Sequence, residues 1–194
     1  MIFYTADQHF GHENIIKHCS RPYLNAEMMN KDMIDRWNSC VSNKDIVYII
    51  GDLFFRTKEN PSIILDRLPG IKHLIMGNHD KNWIKKVDIP KYFQSVEWYT
   101  MISDNQKQIA LCHFPMMSWG NSGHGSYLIY GHIHNKMNAD YWPLLQKMDN
   151  ALNAGVDING FSPVSFIELK TNNEKFKTQH DNKTDNQNVL QVQK

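Results

Sequence analysis

The chain has 194 residues, a length that suits one compact domain with a substantial hydrophobic core. Its hydrophobic fraction of 41% and charged fraction of 21% are ordinary for a globular protein in water. A formal net charge of +1 gives no general electrostatic reason to expect nucleic-acid or membrane-surface binding. The three cysteines are scattered, which argues against a disulfide framework. Because no apolar stretch has membrane-spanning length and none resembles a signal peptide, we expect a cytoplasmic protein.

The apolar pattern predicts alternating strands and helices. Buried strands are predicted, in chain order, at Ile2–Thr5, Ile46–Ile50, His73–Met76, Tyr127–Tyr130 and Ala151–Asp157. Helices are predicted over Asn25–Val41, from Asn60-Pro61 to Leu68, and near Trp83–Val87. Two strand-like runs, Val96–Ser103 and Gln108–Cys112, flank Asp104-Asn105 and predict a hairpin. Val164–Leu169 fits either a strand or a short helix.

The composition changes near residue 170. From Thr171 onward the chain is rich in Asn, Gln, Lys and Thr and has few large apolar residues. Such a segment buries too little apolar surface to offset the entropy of ordering it. We therefore expect a folded domain over residues 1–170 and a poorly ordered polar tail over residues 171–194.

Metal-type ligands follow each strong predicted strand. The clusters are Asp7 and His9, Asp52, Asn78 and His79, His113, and His132 and His134. Singly, each residue could serve as turn chemistry or as an ordinary loop histidine. In α/β sheets, however, ligand sites gather beyond the carboxyl ends of the strands. The repeated coincidence therefore predicts one site to which all these loops contribute.

Carboxylate, amide and imidazole ligands without a thiolate suit Mn²⁺, with Fe, Zn²⁺ and Ni²⁺ as alternatives. One carboxylate that bridges two cations brings them to about 3.5–4 Å, as in two-metal hydrolases. Two divalent ions, Asp7, Asp52 and a bridging hydroxide sum to a charge of about +1, since each carboxylate and the hydroxide removes one unit from +4. Such a centre favours an anionic phosphate ester over a neutral amide.

These residues resemble the calcineurin-like metallophosphoesterase superfamily. The matching motifs are Asp7-x-His9, Gly51-Asp52, Gly77-Asn78-His79-Asp80, the lone His113, and Gly131-His132-x-His134. All five occur in the family's order, and each follows a predicted strand. The resemblance extends from the first strand to about Leu169. Smaller features, such as the HFGH run at His9–His12, look like the small bacterial and phage members.

The resemblance implies an α/β fold, a four-layer α/β/β/α sandwich of two mixed sheets flanked by helices. It implies two metal ions that share Asp52 as a bridge. One ion would take Asp7, His9, Asp52 and His134, and the other would take Asp52, Asn78, His113 and His132. His79 would be the acid that protonates or stabilises the leaving alkoxide, while the bridging hydroxide attacks phosphorus.

Three further residues are candidates for substrate binding. Arg56 lies four residues after Asp52, where the protein-phosphatase branch has a phosphate-binding arginine, although a solvated surface arginine is the alternative. His124, in a glycine-rich loop, and His12 are the other two. That branch also has an aspartate that orients the catalytic histidine, and Phe55 stands in its place here.

Several functions are compatible with this site. The small chain and the missing aspartate favour a phosphodiesterase that acts on a small nucleotide-like or cyclic phosphodiester. A phosphomonoesterase for a small metabolite is the first alternative. A nuclease is disfavoured by the near-zero net charge, and a non-catalytic scaffold by the complete ligand set.

Overall fold

Two four-stranded β-sheets form the centre of the protein in a computed structural model, which describes residues 1–57 and 59–178. The first sheet is wholly parallel and contains, side by side, β1 (Ile2–Thr5), β2 (Ile46–Ile50), β3 (Ile71–Ile75) and β4 (Phe93–Glu97). The second contains β5 (Tyr99–Asp104), β6 (Lys107–Cys112), β7 (Tyr127–Tyr130) and β8 (Ala151–Asn153). In that sheet β5 runs antiparallel to β6, and β6, β7 and β8 are parallel. Carboxyl ends of parallel strands share one edge of a sheet, so the loops after them meet.

In the described part of the chain, seven α-helices surround the sheets. They are α1 (Glu13–His18), α2 (Ala26–Cys40), α3 (Ser62–Leu65), α4 (Asp80–Trp83), α5 (Ile89–Tyr92), α6 (Trp142–Gln146) and α7 (Phe166–Thr178). The longest, α2, begins where the sequence predicts, because the side chain of Asn25 accepts a hydrogen bond from the Met28 amide and caps the helix. No helix in the described ranges is long and apolar enough to cross a membrane.

Among the described residues, three apolar clusters lie between four layers. Helix α2 packs through Met29, Met33 and Trp37 on the outer face of the first sheet. Between the sheets lie buried residues from both, among them Tyr4, Ile50, Ile75, Leu111 and Ile129. On the outer face of the second sheet, α6 and α7 contribute Trp142, Leu145 and Phe176. This arrangement confirms the predicted four-layer α/β/β/α sandwich, but only the second sheet is mixed, whereas two mixed sheets were predicted.

The structure corrects the predicted hairpin. The run Val96–Ser103 spans two strands of different sheets, since β4 ends at Glu97 and β5 begins at Tyr99. The turn lies one residue later than expected, at Asn105 and Gln106, whose φ angles are 48° and 61°. Two successive left-handed residues match the right-handed twist of a two-residue hairpin. The local composition marked the turn but did not fix its register.

The predicted domain boundary at residue 170 is wrong, because α7 continues to Thr178. Two of its polar residues, Asn173 and Lys177, are buried and hydrogen-bonded. Asn173 accepts from the amide of Asn153 at 2.7 Å and donates to its carbonyl at 3.0 Å. Lys177 donates to the carbonyls of Met148 and Ala151 at 2.7 and 2.9 Å. The rest of the predicted tail, residues 179–194, lies outside the described residues.

Candidate metal centre

The loops after β1, β2, β6 and β7 bring two groups of ligand-type side chains together. The potential ligand atoms of Asp7, His9 and His134 lie within 4.8 Å of one another. The potential ligand atoms of Asp52, His113 and His132 also lie within 4.8 Å of one another. The two sets of residues are called the first and the second ligand group. The sets match the two sides of the centre that the resemblance implies.

Asp52 lies between the two groups. Its Oδ2 is 3.7 Å from His9 Nε2 of the first group and 3.4 Å from His113 Nε2 of the second. Its Oδ1 accepts a hydrogen bond from the backbone amide of His79 at 2.9 Å, which fixes the direction of the carboxylate. One oxygen therefore faces ligands of both groups, as a bridging carboxylate must.

Asn78 joins the second group through its amide oxygen, which lies 3.2 Å from His113 Nε2. The other ring nitrogen of His113, Nδ1, is 2.9 Å from the carbonyl of Ile50. A proton on Nδ1 that is donated to this carbonyl leaves Nε2 as the metal-binding nitrogen. Backbone and side-chain contacts thus turn His113 towards Asp52 and Asn78.

The backbone of the site is unusual. Five ligand-type residues have φ angles between 53° and 72°, namely Asp7, His9, Asp52, His132 and His134. The left-handed conformation costs an L-residue roughly 1–2 kcal/mol. Non-glycine residues in such conformations cluster at functional sites, where the surrounding structure holds them. The sharp turns let each strand deliver its side chain inward at the sheet edge.

Two motif glycines make room for these side chains. Gly51 has a φ of 80°, and a Cβ at this position would overlap the ring of His113. A Cβ on Gly77 would overlap the Asp52 carboxylate. Glycine is therefore required before Asp52 and before Asn78 because another ligand occupies the space.

Burial and neighbouring charges shift the acidity of the site. Burial raises the pKa of Asp7 to about 6. Burial also acts to raise the pKa of Asp52, but the contact with His113 has the opposite effect and the pKa is lowered to about 2. Burial opposes charge on His134 and His113, yet the nearby carboxylates raise their pKa values to about 10 and 9. The carboxylates thus draw positive charge into the site, which is what divalent cations would supply.

The hydrogen bonding of His9 also fits a site for divalent metal ions. His9 is buried, and neither of its ring nitrogens has a hydrogen-bond partner among the described residues. A buried polar atom without a partner costs about 1–3 kcal/mol. Imidazole nitrogen beside carboxylate and amide oxygens is a donor set for Mn²⁺, Fe, Zn²⁺ or Ni²⁺. A cation would give His9 the partner that the protein does not.

Asp80 joins two ligand loops. This buried carboxylate accepts hydrogen bonds from the amides of Asp52 at 2.8 Å, Leu53 at 3.1 Å and Gly77 at 2.7 Å. It also accepts one from Trp83 Nε1 at 2.6 Å. The loops after β2 and β3 are therefore held by one side chain, the last residue of the Gly-Asn-His-Asp motif.

Replacing Asp80 with Asn should destabilise the metal-free protein by on the order of 2–4 kcal/mol, since the amide NH₂ would face buried N–H donors. Urea unfolding of metal-free protein measures the change. Asp88→Asn is the matched control, because Asp88 is exposed and its side chain caps no helix. A loss for Asp80→Asn no larger than that of the control would contradict the anchoring role.

His79 lies at the open side of the centre, with its side chain 34% exposed. Its Nε2 is 3.9 Å from Asp52 Oδ2, beyond hydrogen-bonding distance. Its ring packs on Phe55, with the ring centroids 4.0 Å apart. An aromatic contact therefore occupies the place where the protein-phosphatase branch has an orienting aspartate.

The substrate-binding candidates lie in different places. The guanidinium of Arg56 lies 5.0 Å from the centroid of Phe55. His12 packs on the same ring at 4.5 Å, and burial lowers its pKa to about 4. Both therefore contact the ring on which His79 packs. His124 instead precedes β7 and lines a surface depression with Gln108, at the amino end of the strands. The structure thus contradicts a substrate contact for His124, because its loop ends at the opposite edge of the sheet.

Two site residues were missed by the sequence analysis. The side chains of Arg21 and Asp157 are both buried and form an ion pair, with Nε of Arg21 2.8 Å from Asp157 Oδ1. Asp157 also contacts His134, with Nδ1 2.8 Å from Oδ2. The buried thiol of Cys19 lies within 4.8 Å of the potential ligand atoms of His134 and Asp157. No sequence signal marks this cluster, since 136 positions separate Arg21 from Asp157.

Known proteins resemble the chain over most of its length. The uncharacterised protein MJ1445 of Methanocaldococcus jannaschii is 35% identical over 166 residues, which cover 84% of this chain and 86% of that protein. The Gene 66 protein of Mycobacterium phage D29 is 23% identical over 164 residues, covering 70% of this chain and 79% of that protein. No protein-family model matches the chain.

A solved structure shows the same fold. The crystal structure of AQ665 from Aquifex aeolicus, a protein of unknown function, superposes with a TM-score of 0.68 at 25% identity, covering 88% of this chain and 98% of that one. The chain belongs to the same family as MJ1445. The residues of its five motifs lie together beyond the ends of the strands, as the resemblance to calcineurin-like metallophosphoesterases implies.

Proposed function

We propose that the protein is a dinuclear metal-dependent phosphoesterase that hydrolyses a small phosphodiester. The observation that carries the proposal is the position of Asp52, whose Oδ2 faces His9 on one side and His113 on the other. Two divalent cations, Mn²⁺ in our proposal, would be held by the two ligand groups together with Asn78. When bound, they would supply an activated water molecule for attack on phosphorus and would neutralise the phosphoryl oxygens. The role of the protein is to orient the side chains that would bind those cations.

His79 is proposed to act as the general acid. It lies outside both ligand groups, is partly exposed, and stands beside Asp52 at the open side of the centre. A leaving alkoxide there would take the proton of its imidazolium Nε2 as the bond between phosphorus and the ester oxygen breaks. Phe55 limits the orientations of the ring by packing on it.

The proposed substrate is a small diester with an apolar or aromatic part, such as a nucleotide. Two rings flank the centre: Phe55 beside His79, and Phe114, which is 39% exposed with its centroid 4.8 Å from that of His132. Exposed rings beside a phosphate site can stack on a nucleobase. Arg56 and His12 are proposed to contact the substrate from the side of Phe55.

A phosphomonoesterase is the second candidate, favoured by the nearness of Arg56, since a guanidinium suits the extra charge of a monoester. Metal-stripped protein resupplied with Mn²⁺ should hydrolyse bis-p-nitrophenyl phosphate faster than p-nitrophenyl phosphate. Preference for the monoester would move the proposal to a metabolite phosphatase. If the protein binds no metal and hydrolyses neither ester, the enzymatic proposal fails in favour of a binding scaffold.

Metal binding should stabilise the fold. Ions that bind only the folded state add RT ln(1 + [L]/Kd), about 2.7 kcal/mol per site at a hundredfold excess over Kd. Mn²⁺ added to metal-free protein should therefore raise the melting temperature by several degrees, and EDTA should reverse the increase. The stabilisation should depend on the ligand carboxylates Asp7 and Asp52. The melting temperature of Asp52→Asn should therefore rise clearly less when Mn²⁺ is added. Equal increases for both proteins would contradict metal binding at this site.

A further inference from the structure

The ion pair of Arg21 and Asp157 is almost completely removed from solvent. Their side chains are 0% and 1% exposed, and two parallel hydrogen bonds of 2.8 and 3.0 Å join the guanidinium to the carboxylate. A buried pair of this kind gains little net stability over apolar residues of similar size. Its presence beside the metal centre therefore needs an explanation other than stability.

The remaining donors of Arg21 hold the turn after β1. Nη2 donates to the carbonyl of Asp7 at 2.7 Å, and Nη1 donates to the carbonyl of Gln8 at 2.8 Å. These carbonyls belong to the turn in which Asp7 and His9 have left-handed backbones. A fixed guanidinium fork thus stabilises a strained conformation that directs two ligands of the first group.

Asp157 holds the third ligand of that group. Oδ2 of Asp157 lies 2.8 Å from Nδ1 of His134, in the range of a charge-assisted hydrogen bond. When Nδ1 donates to this carboxylate, Nε2 is left as the metal-binding nitrogen. The ion pair therefore connects the turn of Asp7 and His9 to the ring of His134.

The second ligand group is supported by other contacts. His113 is oriented by the carbonyl of Ile50, and the loops of Asp52 and Asn78 are held by Asp80. None of these contacts involves Arg21 or Asp157. The two halves of the centre thus have different supports, and they meet at the bridge Asp52 and at the Asp7 carboxylate, which accepts hydrogen bonds of 3.1 and 2.9 Å from the backbone amide of His132.

We propose that the Arg21–Asp157 pair is a positioning device for the first ligand group alone, and so sets the affinity for one of the two metal ions. The inference rests on the proposed dinuclear centre. Loss of a contact that orients a metal-ligating histidine typically weakens metal affinity about 10–100-fold. Here the loss should affect one ion and spare the other.

The test measures Mn²⁺ affinity by calorimetric titration in two backgrounds that each disable one group. In His132→Ala, which leaves the first group intact, adding Asp157→Asn should weaken binding about 10–100-fold. In His134→Ala, which leaves the second group, the same addition should change affinity less than about twofold. Equal weakening in both backgrounds, or none in the first, would overturn the proposal.

Two controls make the result specific. Asp32→Asn removes a carboxylate that pairs with Arg36 at the surface and should change affinity in neither background. Arg21→Lys keeps the charge but loses the fork, so it should reproduce the selective pattern and serves if Asp157→Asn does not fold. If the unmodified protein binds fewer than two ions, the dinuclear centre fails; if it binds two and the pattern is not selective, only the positioning role fails.

Discussion

Asp52→Asn should abolish phosphoester hydrolysis and weaken metal uptake. The substitution preserves size but removes the negative charge, and an amide has one acceptor oxygen in place of the carboxylate that faces both ligand groups. Metal ions in hydrolases contribute several kcal/mol of transition-state stabilisation, and each 1.36 kcal/mol is tenfold in rate, so we expect a loss on the order of 10³-fold or more.

The measurement is the rate of bis-p-nitrophenyl phosphate hydrolysis at saturating Mn²⁺, together with metal content after gel filtration. Asp32→Asn, at a half-buried surface carboxylate outside the ligand groups, should keep both at the wild-type level. Turnover of Asp52→Asn close to that of the unmodified protein would rule out the two-metal centre. Full metal content with lost turnover would place Asp52 in catalysis without the bridging role.

His79→Asn should slow turnover by a factor on the order of 10²–10⁴ while leaving metal content unchanged. The ring lies outside both ligand groups, so the ions keep their ligands. The backbone amide of His79 still donates to Asp52, so the bridge keeps its orientation. The variant lacks the proton donor on the leaving-group side. Its turnover should therefore fall most for esters with poor leaving groups.

Rates with a p-nitrophenyl diester and with an alkyl diester separate these effects, because p-nitrophenolate leaves without much help from an acid. His124→Asn is the matched control, since that exposed histidine lies at the opposite end of the sheet and should tolerate the change. Loss of metal in His79→Asn would show that this residue is a ligand and not an acid. An equal slowing of both esters would argue for a role other than proton transfer.

The sequence determined most of the metal centre. Each continuous apolar run, such as Ile46–Ile50, forms a strand buried in the sheet. Each is followed at once by residues such as Asp52 that can ligate metal. Strands of a parallel sheet end at a common edge, so local patterns were enough to predict that Asp7, Asp52 and Asn78 come together. Asn25 likewise fixed the beginning of α2, because capping involves only neighbouring residues.

Only the tertiary structure decided which polar groups pair in the interior. Residues 171–178 read as a polar tail, but Asn173 and Lys177 find buried carbonyl partners on the loop before β8 and on β8 itself. Arg21 and Asp157 look like ordinary surface residues until the fold brings their distant segments together. Hydrophobic periodicity is local, whereas a buried polar group is stabilised by a partner that can lie anywhere along the chain. Strand ends and ligands could therefore be predicted, but the contacts that orient the ligands depended on the packing of the whole domain.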